Sequence, residues 1–313
     1  MIDVIIPAYN AHGTIEKTLA SIAYQERLEL LNVYIVNDCS DTDYSAFVNF
    51  YSSYFRIFEL KTSVNGGPAV ARQLGIDNSC GKYIIFIDAD DVFSDPYSIS
   101  RLFDILEREK TDIALSGFSE ERNDSFFYRS AVFVWMHGKM YRRKFLTDNS
   151  IRFNDTRAHE DCAFNQLCHF CGARYSEYFT SAYIWRNNVD SITRINSRSF
   201  TEKNMDVYVK NMLWAVEEAN KRKYNKNRLN EGVFAILVSI YHYYLQYNSV
   251  FKIKNIFKVA RLLLDYLDES LIPDNVKKTI IKNQLLSECS GPALLKVYNP
   301  EITFNDFLSL LKS

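Results

Sequence analysis

This sequence has no excess of charge of either sign and no long hydrophobic run. Its 313 residues include 37 Lys and Arg against 38 Asp and Glu, a net charge of −1. A strongly basic surface is therefore not expected, and nucleic acid is disfavoured as a partner. The longest stretch that is mainly apolar, residues 233–247, is interrupted by Ser239, His242 and Gln246. No transmembrane helix is predicted from it.

Export and disulfide signals are also missing. Residues 1–7 lead directly into a strand pattern, without a basic segment or a small-residue cleavage site. The six cysteines are scattered, and Cys168 and Cys171 form a CxxC pair without a second pair. We therefore expect reduced, mostly buried cysteines and no zinc site. These features predict a cytoplasmic protein, with peripheral contact at the inner face of the membrane as an alternative.

The first half of the chain alternates between strand and helix patterns, which is typical of βαβ units in an α/β protein with a mostly parallel sheet. Helices flank the sheet, and Thr14 is expected to cap the first of them. The polar residues 120–130 are predicted to form a loop. The expected strands are residues 3–7, 31–36, 55–60, 84–88 and 112–117, and the longer helices are residues 69–78, 97–109 and 158–171.

From residue 200 onward, long segments with a period of 3.6 residues predict an all-α region. These segments are residues 207–222, 230–247, 254–268, 276–288 and 304–311. The expected organisation is an α/β domain at residues 1–199 and a helical region at residues 200–313 that recognises an acceptor or forms a homo-oligomer. The tyrosines of residues 241–247 are expected mainly to pack between helices, with an oligomer interface or a membrane contact as the second interpretation.

The most informative stretch is an apolar run, residues 84–87, followed by Asp88, Ala89, Asp90 and Asp91. A short run of Ile and Phe indicates a buried strand, and ligands of open α/β sheets bind beyond the carboxyl ends of such strands. Carboxylates at that edge suit a divalent cation that bridges them to a phosphate. The alternative is a solvated turn or the N-cap of a helix, where Asp is common.

Three other polar clusters follow predicted strands, and they are expected to meet at the same edge of the sheet. They are residues 7–10, residues 37–40 and the segment from Asn65 to Arg72. Asp38 could accept hydrogen bonds from a base, and Arg72 could stack on a base or bind a phosphate. Gly66 lets the backbone approach a ligand closely. Together the clusters predict a site for a nucleoside diphosphate and a metal.

In this order, the clusters resemble those of the inverting GT-A glycosyltransferases of family 2. The resemblance extends over about the first 195 residues. It continues through residues 138–143, 151–153, 159–161, 185–186 and 191–193. The chain has no Gln-x-x-Arg-Trp motif and no predicted membrane span, so a processive membrane synthase is disfavoured. It also carries Gln73 where the family commonly has Asn after the arginine.

The resemblance implies a role for each matching residue. Pro7 and Tyr9 would frame the nucleotide pocket together with Asn65, Gly66 and Ala89. Asp38 would bind the base, and Arg72 would contact the base or ribose. Asp88 and Asp90 would bind the metal and the ribose-diphosphate, with Asp91 as a further ligand. Asp161 would be the general base. Glu160 is either a rival base or a group that orients Asp161 or caps the helix.

The implied reaction moves a single sugar from a nucleotide-diphosphate donor, a UDP-sugar by family precedent, to a hydroxyl acceptor. Mn2+ or Mg2+ would be required, and Arg186 or Lys139 would neutralise the charge of the departing diphosphate. A glycan, a teichoic acid or a lipid-linked saccharide would be the acceptor, in the synthesis of surface polysaccharide or another glycoconjugate. His137 and His159 are each either a third metal ligand or a structural histidine.

Two other functions remain as alternatives. A sugar-1-phosphate nucleotidylyltransferase would need a glycine-rich loop with a basic residue after the first strand, but residues 9–13 read Tyr-Asn-Ala-His-Gly. A catalytically degenerate GT-A domain could instead serve as a binding scaffold that dimerises through its helical tail. The retained carboxylates Asp88, Asp90 and Asp161 argue against that second alternative.

Overall fold

The computed structural model describes residues 1–188, 197–222, 224–253, 256–288 and 302–313. The chain divides into two compact units, one formed by residues 1–168 and 173–195 and the other by residues 169–172 and 196–313. The predicted family segment at residues 191–193 lies outside the described residues.

The first unit is built on one mixed sheet. Its strands are β1 (Ile2–Ala8), β2 (Leu31–Asn37), β3 (Arg56–Lys61), β4 (Tyr83–Phe86), β5 (Val92–Phe93), β6 (Ile113–Arg122), β7 (Ser125–Arg129), β8 (Lys139–Arg142) and β9 (Tyr175–Trp185). Their order is β3-β2-β1-β4-β8-β6-β9-β5, with β7 paired to β6. Strands β1 to β4 are parallel, whereas β8 runs antiparallel to both β4 and β6. The α/β fold class is confirmed, but parallel pairing dominates only one half of the sheet.

Helices cover this sheet because its parallel strands are apolar on both faces. Every residue of β2 and of β4 is buried. The helices of this part of the chain are α1 (Ile15–Ala23), α2 (Ser45–Tyr51), α3 (Pro68–Asp77), α4 (Ser98–Glu109), α5 (Arg143–Asp148) and α6 (Glu160–Phe170), of which the last runs into the second unit. The carboxyl ends of β1, β2 and β4 lie at one edge of the sheet, where the predicted polar clusters follow.

Two local predictions were wrong. Residues 120–130 form the end of β6 and all of β7 instead of a loop. Asn123 and Asp124 join these strands with φ of 47° and 59°, and positive φ at both central residues is characteristic of a tight hairpin turn. Thr14 precedes α1, but its hydroxyl donates to the carbonyl of Ala11 at 3.2 Å and does not cap the helix.

The second unit is helical, as predicted. It contains α7 (Ser197–Asn220), α8 (Lys226–Ile253), α9 (Ile256–Leu262), α10 (Asp274–Glu288) and α11 (Phe304–Lys312). The ring of Tyr241 lies 5.5 Å from the rings of both Phe304 and Phe307, and its hydroxyl donates to the carbonyl of Ile302 at 2.6 Å. Tyr241 therefore packs between helices, as expected. In the part of the chain that the structure describes, no helix is both long and apolar enough to cross a membrane.

Candidate functional site

The carboxyl end of β4 brings together Asp88, Asp91 and His137. One potential ligand atom from each of the three side chains lies within 4.8 Å of the others. Two carboxylate oxygens and an imidazole nitrogen form a donor set that suits Mn2+, and the carboxylates alone suit Mg2+. Of the two histidines considered from the sequence, His137 is therefore the one placed as a third ligand would be.

Asp91 is the most buried residue of this group. It is 1% exposed and accepts hydrogen bonds from the hydroxyl of Tyr183 at 2.6 Å and the backbone N–H of Arg186 at 2.8 Å. Burial, followed by the nearby charges of Asp90 and Asp88, raises the pKa of Asp91 well above its usual range. Carboxylates packed this closely repel one another unless a cation lies between them. The residues present therefore fit a divalent metal.

Asp90 lies outside this three-residue group. Its carboxylate accepts a hydrogen bond from the side chain of Asn188 at 2.8 Å. Ala89, between the two aspartates, is buried and has no polar side-chain atom. Asp88 and Asp91 thus lie beside His137, while Asp90 bonds to Asn188 and its charge acts on Asp91.

A buried guanidinium connects the metal side of the site to the start of α6. Arg72, on α3, donates from Nη2 to Asp88 Oδ1 and from Nη1 to Glu160 Oε1, each at 2.7 Å. Its side chain is 5% exposed. Burial acts to lower the pKa of Arg72, but Asp88, Glu160 and Asp161 together raise it. Arg72 is therefore a permanent positive charge among three carboxylates.

Asp161, the predicted general base, is at the first turn of α6 and keeps part of its surface exposed. Burial raises the pKa of its carboxyl group, while Arg72 opposes that rise. Glu160 is more deeply buried, at 6% exposure, and pairs with Arg72. Of the two neighbouring acids, Asp161 is thus the more accessible to a ligand.

Lys139 and Arg186, the two side chains predicted to neutralise the diphosphate, both have partners within the protein. Lys139 is 1% exposed, and its ammonium donates to the carbonyls of Val132, at 2.8 Å, and Trp135. Burial lowers the pKa of Lys139 to about 7. Arg186 is less enclosed and pairs through Nε with Glu121 at 3.3 Å. The backbone N–H of Arg186 also contacts Asp91, which Lys139 does not.

The glycine loop before α3 is held from two sides. Asp38, at the end of β2, accepts hydrogen bonds from the backbone N–H groups of Gly66, at 2.9 Å, and Gly67, at 2.6 Å. On the other side, Arg157 donates to the side-chain oxygen of Asn65 at 2.9 Å and to its carbonyl. Gly67 has φ of +88°, a conformation that favours glycine. In this structure, Asp38 shapes the loop that the sequence predicted would face the nucleotide.

The rest of the predicted pocket lies at the end of β1. Pro7 pairs with Val36 of β2 near the carboxyl edge of the sheet. Tyr9 follows the strand and is 53% exposed, so its ring is available to stack on a planar ligand. Pro7 and Tyr9 therefore lie at the same sheet edge as Asp38.

Some residues of the site could not be identified from the sequence. Tyr183 hydrogen-bonds both the backbone of Asp88 and the carboxylate of Asp91 across 92 or more positions of sequence. Arg157 contacts Asn65 over a similar separation. Neither belongs to a recognisable local pattern. The available signal for Tyr183 was its place two residues before the Trp185-Arg186 pair, on the same strand.

Residues 3–166 match the family described as Glycosyl transferase family 2. This match covers just over half of the chain, so the chain belongs to that family, and its fold is GT-A.

Its relatives include proteins with and without a defined activity. It is 26% identical over 222 residues to the uncharacterized glycosyltransferase EpsJ of Bacillus subtilis, covering 62% of this chain and 63% of EpsJ. It is 24% identical over 240 residues to the poly(ribitol-phosphate) beta-N-acetylglucosaminyltransferase TarS of Staphylococcus aureus, covering 70% of this chain and 42% of TarS. The chain thus matches less than two thirds of the length of either relative.

Solved structures share the fold. Residues 1–349 of TarS from S. aureus, in complex with UDP-GlcNAc, superimpose with a TM-score of 0.70 at 17% identity, covering 100% of this chain and 90% of that one. The mannosyltransferase PcManGT from Pyrobaculum calidifontis, in complex with GDP-Man and Mn2+, gives a TM-score of 0.54 at 12% identity, covering 99% and 84% of the two chains.

Proposed function

We propose that this protein is a metal-dependent, inverting glycosyltransferase that moves one sugar from a UDP-sugar to a hydroxyl of an acceptor polymer. The observation that carries the proposal is the pair of bonds made by Arg72. They join Asp88, which lies beside Asp91 and His137, to Glu160, the residue that precedes Asp161. A general base and a diphosphate-binding group are the two parts that this reaction needs.

Asp161 would remove the proton of the acceptor hydroxyl as its oxygen attacks the anomeric carbon. Attack on the face opposite the departing diphosphate inverts that carbon. The raised pKa of Asp161 suits this role because a base of higher pKa takes up a proton more readily. Asp88, Asp91 and His137 would hold the divalent cation, which neutralises charge on the diphosphate. Arg186 would add a second positive charge beside Asp91.

The donor pocket would be lined by Pro7, Tyr9 and the loop from Asn65 to Gly67, which Asp38 supports. Asp90 and Ala89 would lie beside the ribose and diphosphate. A UDP-sugar is proposed over a GDP-sugar because the TarS complex with UDP-GlcNAc resembles this chain more closely than the PcManGT complex with GDP-Man does. UDP-GlcNAc is accordingly the first donor to test.

TarS is named for transfer to poly(ribitol-phosphate). That relationship supports a teichoic acid or a similar surface polymer as the acceptor class. We assign donor binding and catalysis to residues 1–199, and acceptor recognition to the helical residues 200–313.

The test is thermal unfolding with UDP, GDP, CDP or dTDP, each with and without Mn2+. A ligand at a hundred times its dissociation constant stabilises the folded state by about 2.7 kcal/mol. We expect stabilisation by UDP that requires Mn2+, together with slow release of UDP from UDP-GlcNAc. If none of the nucleotides stabilises the protein and no UDP is released, the degenerate scaffold becomes the better description.

A further inference from the structure

The hairpin of β6 and β7 carries two arginines that share one buried carboxylate. Glu120 of β6 accepts hydrogen bonds from Arg122 Nε at 2.6 Å and from Nε and Nη2 of Arg129 at 3.1 and 3.0 Å. Burial acts to raise the pKa of Glu120, but the two arginines together lower that pKa below its usual value. Two positive charges therefore meet one negative charge, and the group of three side chains retains one positive charge.

Both guanidinium groups stay accessible to a ligand. The side chain of Arg122 is 55% exposed and that of Arg129 is 48% exposed. Arg122 bonds to Glu120 through Nε, and neither of its terminal nitrogens has an acceptor among the described residues. The planar donors of a guanidinium match the oxygens of a phosphate or a carboxylate. Glu120 thus holds two such groups ready for an anion.

An aromatic ring lies on the same face of the hairpin. Phe127 pairs directly with Glu120 across the two strands, whereas Phe126 pairs with Glu121. Directly paired residues of antiparallel strands project to the same face, and successive residues of a strand project to opposite faces. Phe127 therefore shares the face of the two arginines, and Phe126 lies on the other face. Phe127 is 50% exposed, so its ring is open to the apolar part of a ligand.

This face of the hairpin continues to the candidate metal group. In the adjacent strand β9, Trp185 pairs with Glu120, and the ring of Trp185 lies 5.3 Å from that of His137. Because neighbouring strands are about 4.8 Å apart, the carboxylate that holds the arginines is one strand away from a ring that packs on His137. An acceptor chain that leaves the site along this face would cross Phe127 and the two arginines.

From this geometry we infer that Arg122, Arg129 and Phe127 form an acceptor subsite. The guanidinium groups bind an anionic group of the acceptor polymer, a phosphodiester or a carboxylate, and the ring packs against its carbon skeleton. The inference rests on the proposed function, and it adds a contact on the first unit to the acceptor recognition assigned to residues 200–313. A neutral glycan would gain nothing from the arginines.

The experiment measures dissociation constants for poly(ribitol-phosphate), polygalacturonate and neutral dextran. The variants are Arg122→Gln, Arg129→Gln and Phe127→Ala, each made singly so that Glu120 always keeps a guanidinium partner. The dissociation constant of UDP with Mn2+ present is measured beside them, and thermal unfolding checks that each variant is folded.

The chain offers a matched control for each kind of change. Arg152→Gln is the control for the arginines, because Arg152 is 57% exposed and pairs with Asp77 of α3 instead of with the hairpin. Phe126→Ala is the control for the ring, because Phe126 is the adjacent aromatic residue, 59% exposed, on the opposite face. Both controls should bind the polymers as the wild type does.

We expect the wild type to bind one of the two anionic polymers and not dextran, and the polymer that binds identifies the anionic group. Loss of a hydrogen bond to a charged group should weaken this binding about tenfold in each arginine variant. Phe127→Ala should weaken it about threefold or more. Added salt should weaken binding to the wild type, because exposed charges are screened. The UDP dissociation constant should stay within about twofold of wild type in every variant, since lost acceptor contacts leave the donor site intact.

Several results would overturn the inference. They are a wild type that binds none of the polymers, equal binding of dextran, and arginine variants that bind as the wild type does. Vesicles of phosphatidylcholine and phosphatidylserine test a membrane surface instead, and binding to them that requires both Phe126 and Phe127 would also overturn it. If Arg129→Gln does not fold, Arg122→Gln and Phe127→Ala decide.

The proposed function can fail separately. A wild type that UDP does not stabilise and that releases no UDP from UDP-GlcNAc removes the proposed function, and the acceptor role of the hairpin with it. An active wild type whose hairpin variants bind the polymers normally removes the inference alone.

Discussion

At the scale of single residues, Asp161 has the surroundings expected of a general base, and Glu160 has those expected of a residue that orients it. Asp161 is partly exposed, and its Oδ1 accepts a hydrogen bond from the backbone N–H of Cys162 at 2.8 Å. Glu160 is buried against Arg72. Two neighbouring acids with the same chemistry are thus distinguished by their accessibility and partners.

We predict that Asp161→Asn strongly slows transfer and preserves donor binding. The amide oxygen can still accept the hydrogen bond from Cys162, but the side chain can no longer take a proton. The expected loss in kcat is about 100- to 10,000-fold, the usual contribution of a general base. The measurement is release of UDP from UDP-GlcNAc, beside the dissociation constant of UDP.

Asp155→Asn is the matched control, since Asp155 is exposed and lies in the loop before α6. It should leave both quantities unchanged. Turnover of Asp161→Asn close to that of the wild type would show that another group is the base.

At the scale of elements, close packing of α3 on β1 positions Arg72. Gly75 of α3 faces Ile5 of β1 so closely that an added Cβ would lie 2.5 Å from Ile5 Cγ2. Arg72 lies one helical turn earlier on α3. The small residue at position 75 therefore brings the helix, and Arg72 with it, against the sheet.

We predict that Gly75→Ala destabilises the protein by about 1–3 kcal/mol, the usual cost of overpacking a core. Gly13→Ala is the control, because nothing lies within 4 Å of its added Cβ. The free energy of unfolding should change by no more than about 0.5 kcal/mol in the control. The close-packing argument fails if the two variants have the same unfolding free energy in denaturant titrations.

The elements that could be predicted from the sequence are those with a local signal. Apolar runs such as residues 84–87 indicate buried strands. Because parallel strands end at the same edge of a sheet, Asp38 could also be predicted to lie near the loop of Gly66, as it does. The strand β7 was missed because all five of its residues are exposed, so no inward-facing apolar row marks it. Its turn did carry a signal, the Asn123-Asp124 pair.

The site contacts that could not be predicted join residues far apart in sequence. Arg72 and Glu160 are 88 positions apart, and neither residue's neighbours indicate the other as its partner. Likewise, His137 approaches Asp88 and Asp91 only because β8 is inserted between β4 and β6. The residue types of the site follow from local motifs, whereas its ion pairs depend on the order of strands in the sheet.

At the scale of the whole molecule, the chain consists of two compact units, each with a distinct set of core residues. In the helical unit, α11 buries Phe307, Leu308 and Leu311. The ring of Phe307 lies 5.5 Å from the rings of Tyr241 and Tyr244, which belong to the same unit. The proposed donor site is formed by residues of the first unit alone.

We therefore predict two unfolding transitions in calorimetry that respond to different changes. UDP with Mn2+ should raise the midpoint of one transition. Phe307→Ala should lower the midpoint of the other, because truncation of a buried Phe costs about 3–5 kcal/mol. The UDP dissociation constant should not change in that variant.

Phe126→Ala is the matched control, since Phe126 is 59% exposed on β7 and its truncation should cost about 0.5 kcal/mol or less. A single transition that both UDP and Phe307→Ala shift would mean that the two units unfold as one cooperative structure, because a perturbation in either core would then be shared by the whole chain.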